Sequence, residues 1–264
     1  MATQFINGTT IHFADKGTGR PLVLLHSFPA DLRVWNDQIG ELSSRRRVIA
    51  PDFRGFGQSP PGGPFTVASL AQDVRELLRS LDALPCVLAG ISMGGYTAMN
   101  FARQFPADLS GLILVDTKDA ADNAEQRENR DRMIEVARSK GSAAIADLMI
   151  GKLLSADTAA HRPAQVKTLR KIIEACPALT IEHALAALRD RPDMTGELPK
   201  IATPTLIVVG DADEITPIEM ATGMHKRIAG SQLAIIPGAG HMSPMEQPSL
   251  VNRALRQFLD GMAQ

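Results

Sequence analysis

The apolar run Cys86-Val87-Leu88-Ala89 ends in Gly90-Ile91-Ser92-Met93-Gly94-Gly95, and a helical pattern follows. A serine placed where a buried strand turns straight into a helix must occupy a sharp, strained bend that lifts its Oγ clear of the strand end. The positions flanking it need minimal side chains, because the turning backbone leaves little room for a Cβ. Gly90 and Gly94 meet that demand. On average composition G-x-S-x-G arises by chance in roughly one chain in ten of this length, so the strand before and the helix after give the motif its weight.

The rest of the chain repeats that rhythm. Apolar runs occur at Pro21 to His26, Arg47 to Pro51, Cys86 to Gly90, Leu112 to Asp116, Pro204 to Gly210 and Leu233 to Pro237. Most lack period-two alternation, as strands covered on both faces of a parallel sheet do. Between them lie amphipathic stretches. One starts at Thr66 and puts Leu70, Val74, Leu77, Leu78 and Leu81 on one face; another follows Ser92; a last runs from Ser249 to Met262. The pattern predicts an α/β fold with right-handed crossovers. Ahead of it, Gln4 to Asn7 and Thr9 to Phe13 around Gly8 read as a hairpin.

One segment breaks the alternation. From about Ala121 to Glu197 only helical patterns occur, and Gly141, Pro163, Pro177 and Pro192 divide them into roughly four helices. A helical insertion between two parallel strands is expected to form a lid over the site. The expected organisation is a core of residues 1–120 and 198–264 with a helical cap over 121–197.

A serine hydroxyl is a weak nucleophile and needs a base in hydrogen-bond reach, itself oriented by a carboxylate. Where a serine occupies such an elbow, the acid and then the histidine follow it in the chain, each after a strand. The run Leu206 to Gly210 ends in Asp211-Ala212-Asp213-Glu214, and Leu233 to Pro237 ends in Gly238-Ala239-Gly240-His241. Of the six histidines, His241 is the one in a glycine-rich loop after a late strand; His161, His183 and His225 fall in helical stretches and His12 in the hairpin. Asp211, Asp213 and Asp116, the last after the Leu112 to Val115 strand, are the candidate acids.

Through these residues, and through Asp52-x-Arg54-Gly55-x-Gly57-x-Ser59, Gly210-x-x-Asp213-x-x-x-Pro217 and Gly238-x-Gly240-His241, the chain resembles the α/β-hydrolase superfamily from end to end. The resemblance implies a mostly parallel eight-stranded sheet flanked by helices, with the lid inserted after the sixth strand. It makes Asp213 the triad acid, with Asp116 next in line and Asp211 bracing the loop. It implies an oxyanion hole built from the Phe28 and Met93 backbone N–H groups, the first in a loop, His26-Ser27-Phe28-Pro29, where Ser27 stands in place of the usual glycine and His26 braces. The Asp52 to Ser59 stretch reads as structural, with Arg54 anchoring loops. Trp35 and Tyr96 read as packing aromatics, and most of Met133, Met149, Met194, Met242 and Met245 as core fillers.

Composition narrows the partners. The 264 residues are 44% apolar and 22% charged with a formal net charge of −1, which offers nothing to draw nucleic acid or anionic lipid. Cys86 opens a core strand, and no Cys/His spacing suits a metal. No apolar stretch is long enough for a membrane span, and Met1-Ala2-Thr3-Gln4 carries no signal-peptide features, so a cytoplasmic location is expected. The expected activity is hydrolysis of small carboxylic esters or lactones without metal or cofactor, the general look being that of the enol-lactonase and small carboxylesterase branch. Perhydrolases, carbon–carbon bond hydrolases and ligand receptors of this fold are the alternatives. Dehalogenases and epoxide hydrolases, which carry aspartate at the nucleophile position, fit less well.

Overall fold

Each of the six apolar runs becomes a strand. The structure, a computed structural model, describes residues 2–262 and contains eight strands: β1 Ala2–Ile6, β2 Thr9–Lys16, β3 Pro21–Leu25, β4 Arg47–Pro51, β5 Cys86–Ile91, β6 Leu109–Val115, β7 Thr205–Gly210 and β8 Gln232–Ile236. They form one sheet in the order β1-β2-β4-β3-β5-β6-β7-β8. The expected hairpin pairs β1 with β2 around Asn7 (φ 44°) and Gly8 (φ 74°), the two positive-φ positions that a tight two-residue hairpin turn requires. β2 joins β4 antiparallel, and every later pairing is parallel.

Leu22 to Leu25 of β3 and Leu112 to Val115 of β6 are wholly buried, which explains why these runs show no alternation: helices cover both faces. The helix Val67–Ser80 begins at Thr66, whose side chain and that of Ser69 form a reciprocal cap, and it buries the leucine face read from the sequence. β6 starts three residues earlier than its apolar run, because Leu109 and Gly111 pair with β5 although Ser110 is exposed.

Helices alone fill the chain between β6 and β7. They are Ala124–Leu153, Ala156–His161, Pro163–Glu174 and Ala178–Arg189, followed by a short 3-10 turn at Leu198–Lys200. Gly141 (φ 75°, ψ −173°) leaves the helical region and divides the first stretch into two helices, as expected of it, while Ser155, which accepts a hydrogen bond from the Thr158 N–H, opens a short helix whose start no breaker residue announced.

The strand order sets the site. From β3 the chain moves to β4 on one side, and from β5 it moves to β6 on the other, so the loops leaving β3 and β5 diverge at a crevice outside the carboxyl ends of the strands. The loops after β6, β7 and β8 arrive at the same edge.

A Cβ built at Gly90 would run into the backbone of Gly94 and Gly95, whereas one at Gly40, on the exposed side of the helix Asn36–Leu42, meets nothing within 4 Å. Gly90→Ala is therefore expected to cost about 1–3 kcal/mol, a melting temperature lower by roughly 2–10 °C. Gly40→Ala should be neutral or slightly stabilising. Thermal melts of the two variants beside wild type check both.

Candidate active site

Ser92 sits at the N-terminus of the helix Met93–Gln104 with φ 52° and ψ −111°, a conformation that costs a non-glycine residue about 1–3 kcal/mol. The surroundings hold it there. Its N–H donates to the Val115 carbonyl at 3.0 Å, and its carbonyl accepts from Thr117 Oγ1 and from the Tyr96 N–H, each at 3.0 Å. Gly94 lets the turn press against the Leu25 and His26 carbonyls, which locks the elbow to the loop leaving β3.

His241 reaches Ser92 from the loop after β8. Its Nε2 lies 2.9 Å from Ser92 Oγ, and its Nδ1 lies 2.8 Å from Asp213 Oδ2. Asp213 accepts further hydrogen bonds from the Ile215 N–H (2.8 Å), the Thr216 N–H (2.9 Å) and Thr216 Oγ1 (2.6 Å). A carboxylate on Nδ1 selects the tautomer whose Nε2 lone pair accepts the serine proton. Burial disfavours charge on Asp213, but His241 and Thr216 outweigh it and hold the acid below its usual range. Burial likewise disfavours a charged His241, but Asp213 first, then Asp116 and Glu246, raise its pKa above the ordinary 6.5. The three side chains read from the sequence thus form one hydrogen-bonded relay, with Ser92 at 9% exposure as its outlet.

Asp116 lies outside the relay. It is wholly buried at φ 42°, and it accepts from the Gly210 N–H (2.9 Å), the Ser243 N–H (3.1 Å) and Ser243 Oγ (2.6 Å). It therefore ties the loop after β7 to the residues following His241. Burial, and the nearness of Asp213, push its carboxyl up to about 7. Glu246 makes a second tie: its wholly buried carboxylate accepts from the Gly240 N–H (2.9 Å) and from the Ser155 N–H (2.8 Å), linking the histidine loop to the helices between β6 and β7. Asp211 accepts from the Gly238 N–H at 2.8 Å and braces the loop, as expected of it. Neither Glu246 nor Thr216 was read from the sequence. Thr216, three residues after Asp213, had a local signal in the Asp-x-x-Thr spacing that suits side-chain-to-backbone turns; Glu246 had none.

On the opposite side of Ser92, His26 donates from Nδ1 to the Ser27 carbonyl (2.9 Å) and accepts the Phe53 N–H at Nε2 (3.0 Å). Burial lowers its pKa, so the neutral ring braces two loops. Ser27 Oγ turns toward Met242 Sδ at 3.6 Å. Phe28 is buried in the loop after β3, and Met93 is the first residue of its helix, where an N–H has no intrahelical acceptor.

Beyond the elbow a cavity of about 520 Å³ opens between the helix Ala124–Leu153 and the sheet edge, lined by Tyr96, Lys118, Arg130, Met133, Met149 and Ile215 among others. Tyr96 and the two methionines are therefore wall residues as well as packing groups. Among the described residues no group of three His, Cys, Asp or Glu side chains is placed to hold a metal ion, and no helix is long and apolar enough to cross a membrane.

A thermophilic esterase from Thermogutta terrifontis superimposes on this structure with a TM-score of 0.95 at 40% identity, over 99% of this chain and 97% of that one. The enol-lactonase from Burkholderia xenovorans LB400 gives a TM-score of 0.91 at 26% identity, over 98% and 100%. In sequence, the AB hydrolase superfamily protein YisY of Bacillus subtilis is 32% identical over 259 residues, 94% of this chain and 95% of its own length. Residues 20–248 match the family described as alpha/beta hydrolase fold. With an eight-stranded sheet of this order, a serine elbow after β5 and relatives matched over nearly their whole lengths, the chain belongs to the alpha/beta hydrolase fold family.

Proposed function

We propose that the protein hydrolyses carboxylic esters or lactones of small substrates through an acyl-enzyme on Ser92. The relay Ser92–His241–Asp213, closed by contacts of 2.9 and 2.8 Å, carries this reading, and the likeness to an esterase and an enol-lactonase supports it. Ser92 Oγ attacks the carbonyl carbon while His241 Nε2 takes its proton, and Asp213 stabilises the imidazolium that forms. The Met93 and Phe28 N–H groups receive the oxyanion, the first assisted by the helix N-terminus on which it sits. His241 returns the proton to the departing alkoxide. A water then gives its proton to His241 and its oxygen to the acyl carbon, which frees Ser92. In this reading the helical segment 121–197 acts as the lid.

Hydrolysis of short-chain p-nitrophenyl esters, measured side by side for wild type and a folded Ser92→Ala, tests the proposal. Wild type should turn over many times, and the variant should lose about 10⁴–10⁶-fold in kcat. Equal rates in the two proteins would remove Ser92 from the reaction.

The pH profile has a required sign. His241 works as a base only when neutral, and its pKa lies above 6.5. The value of kcat/KM should rise with pH along an acid limb whose midpoint is above 6.5 and then level off. Between the two buried acids, Asp213→Asn should lower kcat by about 10⁴-fold through the wrong imidazole tautomer. Asp116→Asn, which disturbs loop placement and removes one charge that raises the His241 pKa but leaves the Asp213 contact in place, should cost at most about 10²-fold. The reverse ranking in a steady-state assay would transfer the acid role to Asp116.

A further inference from the structure

One residue after His241 and Met242, the chain makes a single helical turn, Ser243–Glu246. So short a helix leaves its carbonyls without intrahelical donors, and side chains from two directions supply them. From the core, Gln38 Nε2 donates to the Pro244 carbonyl at 3.2 Å, while Asp116 holds the Ser243 N–H and hydroxyl. From the helices between β6 and β7, Gln165 Nε2 donates to the Met245 carbonyl at 3.0 Å and Arg162 Nη1 to the Glu246 carbonyl at 2.6 Å.

The Glu246 side chain completes the second attachment. Its Oε1 accepts the Gly240 N–H and its Oε2 the Ser155 N–H, so one wholly buried group joins the peptide just ahead of His241 to the start of the helix Ala156–His161. Two donors on separate elements are met here by two oxygens and no competing donor, which a carboxylate offers and a side-chain amide does not. Burying a carboxylate is unfavourable unless hydrogen bonds compensate it, so a charge at this point is a costly way merely to fill space. The two backbones are also in direct contact: a Cβ at Gly240 would stand 2.5 Å from the Ser155 nitrogen and 2.8 Å from the Leu154 carbonyl carbon. The residue before His241 and the turn after it therefore both rest on the helical segment.

We propose that Glu246 is a positioning residue for His241, docking the segment Ser155 to Gln165 onto the histidine loop so that the imidazole stays in register with Ser92 only while that segment is docked. The proposal rests on the serine-hydrolase reading above for the reaction it affects, but not for the placement of the ring. Both side-chain hydrogen bonds of Glu246 go to backbone N–H groups outside the relay, so it acts through Gly240 and not on substrate. The 2.9 Å contact between His241 Nε2 and Ser92 Oγ has little tolerance, since a displacement of about 1 Å can cost about 10²-fold in rate.

Steady-state kinetics with a p-nitrophenyl ester, at a temperature where each variant is folded, supply the first test. Glu246→Gln, which turns one acceptor oxygen into a donor facing an N–H, should lower kcat by about 10- to 100-fold while KM stays within about threefold. Arg162→Met combined with Gln165→Leu removes two half-buried docking groups remote in sequence from the relay, and should lower kcat by about 3- to 30-fold, again with little change in KM. Joining all three substitutions should cost less than the product of the separate losses, because they act on one junction. Lys167→Ala, on the exposed side of the same helix, should change neither constant. The second test needs no turnover: in Ser92→Ala, the low-field NMR signal of the proton between His241 Nδ1 and Asp213 should shift or broaden when Glu246→Gln or the Arg162/Gln165 pair is added. Variants that melt lower yet keep wild-type kcat and an unchanged histidine signal would overturn the proposal, as would losses confined to KM or losses that multiply. Should Glu246→Gln not fold, the Arg162/Gln165 pair decides by the same readouts. If wild type turns over no ester, the hydrolase reading fails, and the histidine signal alone then decides, an unchanged signal refuting the positioning role.

Discussion

Everything at the site depends on forcing one L-residue, Ser92, into positive φ between a buried strand and a buried helix. That backbone is intrinsically unfavourable, and it persists because neighbours over-determine it. β6 holds the Ser92 N–H through Val115, Thr117 and the first helical turn hold its carbonyl, and β3 presses on Gly94. Removing space at Gly90 or Gly94 would break the contact between the elbow and the β3 loop, so the two glycines and the strain are parts of one device. The strain has a geometric product: the hydroxyl meets His241 at 2.9 Å while the Met93 N–H is left without an intrahelical acceptor beside it.

The residues behind the relay extend the same logic. His241 and Asp213 come from separate loops, and loops need fixing if their side chains are to meet within tenths of an ångström. Two buried carboxylates do the fixing. Asp116 fastens Gly210 of β7, just ahead of the acid loop, to Ser243 after His241, and Glu246 fastens Gly240 before His241 to Ser155 in the helical segment. Backbone N–H groups that would otherwise be buried without partners are satisfied in the process. Arg162 and Gln165 add bonds to the Glu246 and Met245 carbonyls, so the helices between β6 and β7 and the histidine loop are held as neighbours. A proposed lid attached at this point is mechanically continuous with the proposed base.

The helical segment also gathers charge. Arg130 and Arg191 are far apart in the chain, yet Asp122 joins them to Lys118 at one wall of the cavity. The overall charge of −1 conceals this local surplus, because net charge sums over surfaces that never meet.

Strand identities, the hairpin around Gly8, the elbow and the glycine-rich histidine loop were legible in the chain itself, because each depends on local chemistry: a burial period, a positive-φ residue, a breaker, a cap. The joints between the helices after β6 were partly legible, since Gly141 divides one helical stretch and Pro163 opens another, whereas the joint at Ser155 depends on the distant Glu246. The sequence by itself determined which residue types stand at the carboxyl ends of which strands. Only the tertiary structure showed which of the three strand-end aspartates faces the imidazole, which two brace the loops, and which three cations share Asp122. Those outcomes turn on distances of 3 Å between residues up to 149 positions apart in the chain, and no local propensity or spacing encodes them.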